Sequence, residues 1–321
     1  MVSSRSFVRA TWALLAFTLA VVAWGGLVRA SHSGDGCGAN WPTCNGELFP
    51  TNAVLKTRIE FTHRVMSGAV LVLGFAWAAW AFRRFPRASR VRRGAVAVVV
   101  LNLGEALIGA AIVLLRLVGT DASLTRTVGM GLHLLNTFLL LGALLLTGLW
   151  AANVARPRLR GQSPVGTLVW VSLGALGVLG ISGAIAALGD TLFPARSLAE
   201  GFAHDASPTA HFLVRLRVLH PLFALLGASL LLVTAAVAAV LRPGAAVRRS
   251  ALALALLVAT QMLVGLSNLL LLAPVGLQLV HLVLADLVWL SMVALGATAL
   301  GEDAPQLEVA TAAEAGAPTV N

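Results

Sequence analysis

The sequence predicts an all-α membrane protein of eight transmembrane helices, built as two repeated four-helix bundles with both termini in the cytoplasm. Three observations predict this class. The 321-residue chain is 58% hydrophobic and only 11% charged, with a mean hydropathy of +0.88, far from the balance of a soluble globular domain. Eight apolar stretches are long enough to cross about 30 Å of hydrocarbon as helices, and in lipid each must satisfy its own backbone polar groups. The second half of the chain also repeats features of the first at a nearly constant spacing.

The first span, 10–29, follows Arg5 and Arg9. A cleaved signal peptide with Val28-Arg29-Ala30 as its processing site is the competing reading, but the repeat needs this helix retained. An outer loop over 30–58 leads to the second span, 61–82, with Glu60 and His63 at its mouth. Arg83, Arg84, Arg87, Arg90, Arg92 and Arg93 separate it from the third, 94–115, which holds Glu105. The fourth, 128–150, carries His133 and is followed by Arg156, Arg158 and Arg160 in a basic, proline-containing linker over 155–164. The fifth is 165–188; the sixth, 212–240, carries His220 and precedes Arg242, Arg248 and Arg249. The seventh, 251–272, and the eighth, 276–299 with His281 and Asp286, complete the set, and the acidic, alanine-rich tail 301–321 reads as disordered.

These connections hold 14 of the 23 Lys/Arg, all on alternate sides, which places them in the cytoplasm. The net charge of +10 is therefore topology, and a nucleic-acid partner is not implied. Residues 1–155 form the N-terminal half, 156–300 the C-terminal half.

At a spacing of 157, Gly25-Gly26-Leu27-Val28-Arg29-Ala30 aligns with Ser182-Gly183-Ala184-Ile185-Ala186-Ala187, and His63 with His220. Glu105-Ala106-Leu107-Ile108-Gly109 matches Gln261-Met262-Leu263-Val264-Gly265, and a spacing of 148 sets His133 against His281. Two parallel repeats follow.

Spans two, four, six and eight all enter from the outer face, so the four histidines lie at similar depth. A lone histidine in a membrane helix is usually a packing residue, but four at equivalent positions suit axial ligation of a flat macrocycle between facing helices. His63 with His133, and His220 with His281, give one pair per half. One turn further in, Ser67, Thr137, Ala224 and Ala285 are small enough to leave room beside each imidazole, although small residues also serve close helix packing.

The outer loop SHSGDGCGANWPTCNGELFP holds the only cysteines, Cys37 and Cys44, which can close a disulfide in an oxidising compartment, as a staple or as a labile electron-exchanging pair.

GGLVRASHSGDGCGANWPTCNG, then EFTHR at 60–64, then QMLVGLSNLLLLAPVGLQLVHLVLADLVW at 261–289 together resemble the heme A synthase family of cytochrome oxidase biogenesis, over essentially all eight spans. The resemblance implies oxidation of the C8 methyl of heme O to the formyl group of heme A through hydroxylated intermediates. It implies heme O as substrate at His63 and His133, a resident heme b with its iron on His220 and His281, Glu60 as catalytic carboxylate, and Cys37 and Cys44 as the loop pair. Implied partners are heme O synthase, the protoheme farnesyltransferase, and oxidase assembly factors, in a lipid cell membrane; the oligomeric state, a homo-oligomer included, stays open.

Two departures stand out. The family's usual Cys-Pro-Asp-Trp-Pro is here Cys37-Gly38-Ala39-Asn40-Trp41-Pro42, one residue longer and without the acid, and Glu105 faces a neutral repeat partner, Gln261. Glu105 and Asp286 lie near mid-membrane, where a charge is costly; either can be protonated or paired inside the bundle, Glu105 stays unassigned, and of the two Asp286, five residues beyond His281, is the better placed to tune its heme. Arg64, Arg215 and Arg217 flank the histidines and match propionate geometry, or else mark the headgroup boundary. His32, His204 and His211 are read as solvated.

A non-catalytic di-heme cytochrome needs only the four histidines, so Glu60 and the cysteine pair discriminate against it. A two-repeat transporter would place its site near the midplane.

Overall fold

The structure is a computed structural model that describes residues 4–51, 53–154 and 164–301. Among these residues every extended regular element is a helix, and Cys44 and Glu47 form an isolated antiparallel bridge. The helices are α1 (Ser4–Ala30), α2 (Leu55–Arg84), α3 (Arg90–Leu114), α4 (Leu124–Ala151), α5 (Val165–Leu192), α6 (Leu198–Ala206), α7 (Phe212–Arg217), α8 (Leu219–Leu241), α9 (Ala245–Leu270) and α10 (Val275–Ala299). Eight segments, with α7 and α8 taken as one, are long and apolar enough to cross a membrane. Most of the linker 155–164 and nearly all of the tail 301–321 lie outside the described residues.

Helix α2 begins six residues before its expected apolar start because Lys56, Arg58 and Glu60 are good helix formers that hydropathy ignores. Ser89 and Ser123 cap α3 and α4 by accepting from the backbone N–H groups of Val91 and Arg126. The expected single sixth span is broken at Val218. Pro221 explains the break, since it has no N–H to donate and its ring crowds the carbonyl of Arg217 four residues back. The unexpected α6 starts at Ser197, whose hydroxyl accepts from Glu200 N–H, the beginning of a Ser-x-x-Glu capping signature.

Helices α1, α2, α3 and α4 pack in a closed ring, each touching the next and α4 returning to α1; α5, α8, α9 and α10 do the same. Helices α1 and α4 of the first ring meet α5 and α10 of the second. In lipid such contacts depend on close packing of small residues, and a Cβ on Gly296 would lie 3.0 Å from Val169 Cγ1. Between the rings Phe138 stacks on Trp289 with centroids 5.0 Å apart, and Trp289 Nε1 donates to the Phe138 carbonyl at 2.5 Å.

Candidate functional site

Each of the four histidines sits against a glycine on a neighbouring helix. A Cβ added to Gly25 of α1 would lie 3.0 Å from His63 Cε1, one on Gly183 of α5 3.1 Å from His220 Cε1, and one on Gly265 of α9 3.0 Å from His281 Cε1. Gly109 of α3 stands further back, 3.9 Å from His133 Nε2. The first three glycines let an imidazole lie against a backbone that a methyl group would crowd, whereas a methyl on Gly109 would meet His133 at ordinary van der Waals distance. The pairing shifts the expected register by one residue, because Gly25 and not Gly26 meets His63, while Gly26 packs on Leu279 and Leu282 of α10.

His220 and His281 approach one another with ring centroids 6.4 Å apart and planes at 86°. Two imidazoles on opposite sides of one metal, at the usual metal–nitrogen distance of about 2.0 Å, have centroids about 6.3 Å apart. These residues therefore fit a heme iron. Ser182 bonds His220 Nδ1 at 2.9 Å, which orients that ring with Nε2 free. On His281, Nδ1 is buried without a hydrogen-bond partner, and Gln261 Nε2 lies 3.4 Å from Nε2.

In the first ring the surroundings are ionic. Glu105 Oε2 lies 2.7 Å from His133 Nδ1, at ion-pair distance, and neither His63 Nδ1 nor His133 Nδ1 makes a hydrogen bond. The Ser67 and Thr137 hydroxyls donate back to the His63 and His133 carbonyls at 2.8 and 2.9 Å. These bonds fold both hydroxyls against their own helices.

Glu60 is the sixth residue of α2, past its first turn, and is 3% exposed. Its Oε2 accepts the Cys37 backbone N–H at 2.7 Å, and its Oε1 takes Arg64 Nη2 at 2.5 Å. Arg64 Nη1 donates onward to the Asn40 and Thr43 carbonyls at 2.5 and 2.7 Å. Both carbonyls lie inside the ring closed by the Cys37–Cys44 disulfide. One acid and one base a turn apart thus lock the loop onto the helix that carries His63.

Of the other arginines, Arg217 is held by Asp190 at 3.1 Å and Asp205 at 2.8 Å, and Arg215 is exposed. His211 is not solvated, since it stacks on Phe193 at 4.8 Å and its Nδ1 accepts from Leu213 N–H. Asp286 is 0% exposed with neither oxygen hydrogen-bonded. Five residues is about 140° around a helix, so Asp286 shares the stripe of Leu282 and Trp289, which pack on Gly26 and Phe138 of the first ring. It stands on the opposite side of α10 from His281, toward the first ring.

Sequence reasoning missed Arg29. Its guanidinium donates to the Ala187 carbonyl at 2.7 Å, Thr191 Oγ1 at 2.6 Å and Gln278 Oε1 at 2.9 Å, joining α1 to α5 and α10 one turn C-terminal to Gly25. An arginine still inside an apolar run was the available signal.

The sequence model of the cytochrome oxidase assembly protein family matches residues 9–293. The chain belongs to this family. Among curated relatives, a Thermus thermophilus protein named protoheme IX farnesyltransferase is 44% identical over 304 residues, 95% of this chain and 50% of that protein. A protein named heme A synthase from Exiguobacterium sp. is 37% identical over 142 residues, 44% of this chain and 46% of the relative. Another heme A synthase, from Alkalihalophilus pseudofirmus, is 39% identical over 92 residues, 29% of this chain and 31% of the relative. The chain spans about half the length of the first curated relatives it matches. The family match encloses all four histidines, Glu60 and both cysteines.

Proposed function

We propose that the protein is a heme A synthase, a membrane oxidoreductase that converts the C8 methyl of heme O to the formyl group of heme A. The observation that carries this reading is the set of three close histidine–glycine contacts, at His63, His220 and His281, with His220 and His281 spaced for one iron. Membership of the oxidase assembly family and the heme A synthase relatives support it.

In this reading the first ring receives heme O between His63 and His133, and the second keeps heme b on His220 and His281. Heme b, when bound, supplies a one-electron carrier. Ser182 holds the His220 ring in one orientation, and Gly183 and Gly265 let His220 and His281 sit close to their neighbours. Glu60 acts as the base that takes a proton at the oxidised carbon or from water, oriented by Cys37 N–H and Arg64. Arg215 is the exposed guanidinium available to a propionate beside the second heme. The two rings are two repeats in a cell membrane, with both termini cytoplasmic, as the arginines of alternate connections favour.

The name of the Thermus relatives raises a second reading, prenyl transfer by this chain. A diphosphate substrate calls for carboxylates clustered around a divalent cation, and no such group of metal-binding side chains occurs among the described residues. We therefore assign the farnesyltransferase that makes heme O, together with oxidase assembly factors, to the partners.

The test is to express the full chain with a heme O synthase in cells lacking heme A and to identify extracted hemes by chromatography and mass spectrometry. Heme A is expected, with heme b in the purified protein. Heme O alone would overturn the reading, and farnesylation of heme b by this chain without the synthase would establish the second.

A further inference from the structure

The helix seam beside His133 carries polar apparatus that packing alone does not require. Glu105 Oε2 meets His133 Nδ1 at 2.7 Å. Its other oxygen accepts from Asn136 Nδ2 at 2.7 Å and, at 3.1 Å, shares the Thr137 hydroxyl proton with the His133 carbonyl. Asn136 Nδ2 also donates to the Leu101 carbonyl at 2.8 Å, so the amide is anchored to α3. Its seat depends on Gly104, where a Cβ would lie 3.0 Å from Asn136 Oδ1. The carboxylate is thereby fixed before any ligand arrives, and a partly buried carboxylate at membrane depth needs such donors.

The second ring has nothing comparable. Gln261 stands at the position aligned with Glu105, and the spacing that sets His133 against His281 sets Leu284 and Ala285 against Asn136 and Thr137. Gln261 Nε2 bonds the His281 carbonyl at 3.2 Å and contacts the ring only at 3.4 Å, and its Oε1 is buried without a partner. The same helix pairing is thus made without a carboxylate or its cradle. Helix packing explains the seam of the second ring but not that of the first.

We propose that Glu105 is a positioning residue for the substrate heme: its carboxylate, already at ion-pair distance from His133 Nδ1, takes the Nδ1–H when the ring turns to a bound iron, presents Nε2 to that iron, and makes this imidazole the more strongly donating ligand of the protein. The assignment rests on the reading that the first ring binds heme through His63 and His133. A carboxylate on the far nitrogen fixes the ring's tautomer and raises its basicity, and loss of such a partner typically costs ten- to a hundredfold in affinity. A more basic ligand favours the ferric over the ferrous iron, so the first-ring heme should be harder to reduce than one whose histidine leans on a neutral amide.

The experiment uses the purified full chain, titrated with ferric heme b as probe and followed by absorbance, electron paramagnetic resonance and redox titration. The signal that disappears in His63→Ala and in His133→Ala belongs to the first ring, and the second-ring heme on His220 and His281 serves as the folding control in every variant. Glu105→Ala is expected to weaken first-ring binding ten- to a hundredfold. Glu105→Gln, which can still accept from Nδ1, is expected to keep binding within about tenfold and to raise the midpoint potential of the first-ring heme alone. A heme signal that depends on His133 but keeps its affinity and potential in both Glu105 variants overturns the assignment and leaves the proposed function standing. A parental protein in which no heme signal depends on His63 or His133 overturns the site reading and this assignment with it.

Discussion

The ring of α1–α4 and the ring of α5 and α8–α10 hold their histidines in the same way and surround them differently. Both press imidazoles against glycine backbone. Around the second pair the contacts are neutral, through the Ser182 hydroxyl and the Gln261 amide. Around the first, Glu105 touches His133, and the buried Glu60–Arg64 pair beside His63 bonds the disulfide loop. A ring of neutral contacts suits a group that stays in place and changes only its oxidation state. A ring with two carboxylates can also accept protons, which a reaction that strips hydrogen from carbon requires. The difference supports the proposed division, with chemistry in the first ring and the resident heme in the second.

The largest effect is expected where the two rings differ most. Glu60→Ala should lower conversion of heme O to heme A by about a hundred- to ten-thousandfold while leaving the second-ring heme spectrum intact. Extracted hemes would report it, and conversion at the parental rate would remove Glu60 from the chemistry and leave it as the anchor of the loop. Next, His220→Ala or His281→Ala should abolish most of the second-ring heme spectrum, whereas His63→Ala should spare it; equal losses from all three would collapse the comparison.

A smaller effect is expected at the joint between the rings. Arg29→Ala removes three hydrogen bonds that link α1 to α5 and α10 and should destabilise the protein by about 3 kcal/mol, seen as a lower thermal midpoint in detergent. An unchanged midpoint would mean that the stacked Phe138 and Trp289 hold the rings without it. The smallest effect should come from Ser182→Ala. Freeing His220 Nδ1 should weaken second-ring heme binding about tenfold without touching the first ring, as a heme titration of the variant would show.

Much of this architecture is legible in one dimension. A span needs only length and apolarity, so all eight spans follow from hydropathy, with ends displaced where polar helix formers such as Lys56 and Arg58 extend α2. Pro221 and the Ser197-Glu200 spacing carried readable signals for the broken sixth span and for α6. The histidines stood out because a repeat turns four separate residues into one pattern, and the cysteines because they are the only two.

The sequence by itself determined which side chains this protein has to work with and the depth at which each enters the bilayer, because hydropathy, charge bias and helical rise depend only on neighbours along the chain. Only the tertiary structure decided what those side chains touch. Helical periodicity turns Asp286 about 140° away from His281, but which helix it then meets depends on how the rings pack. Glu105 finds His133, and Arg29 finds Gln278, across 28 and 249 residues of chain. Such contacts are fixed by the rotation and depth of packed helices, quantities that an apolar stripe in lipid constrains only weakly, since lipid and a neighbouring helix are equally good solvents for leucine.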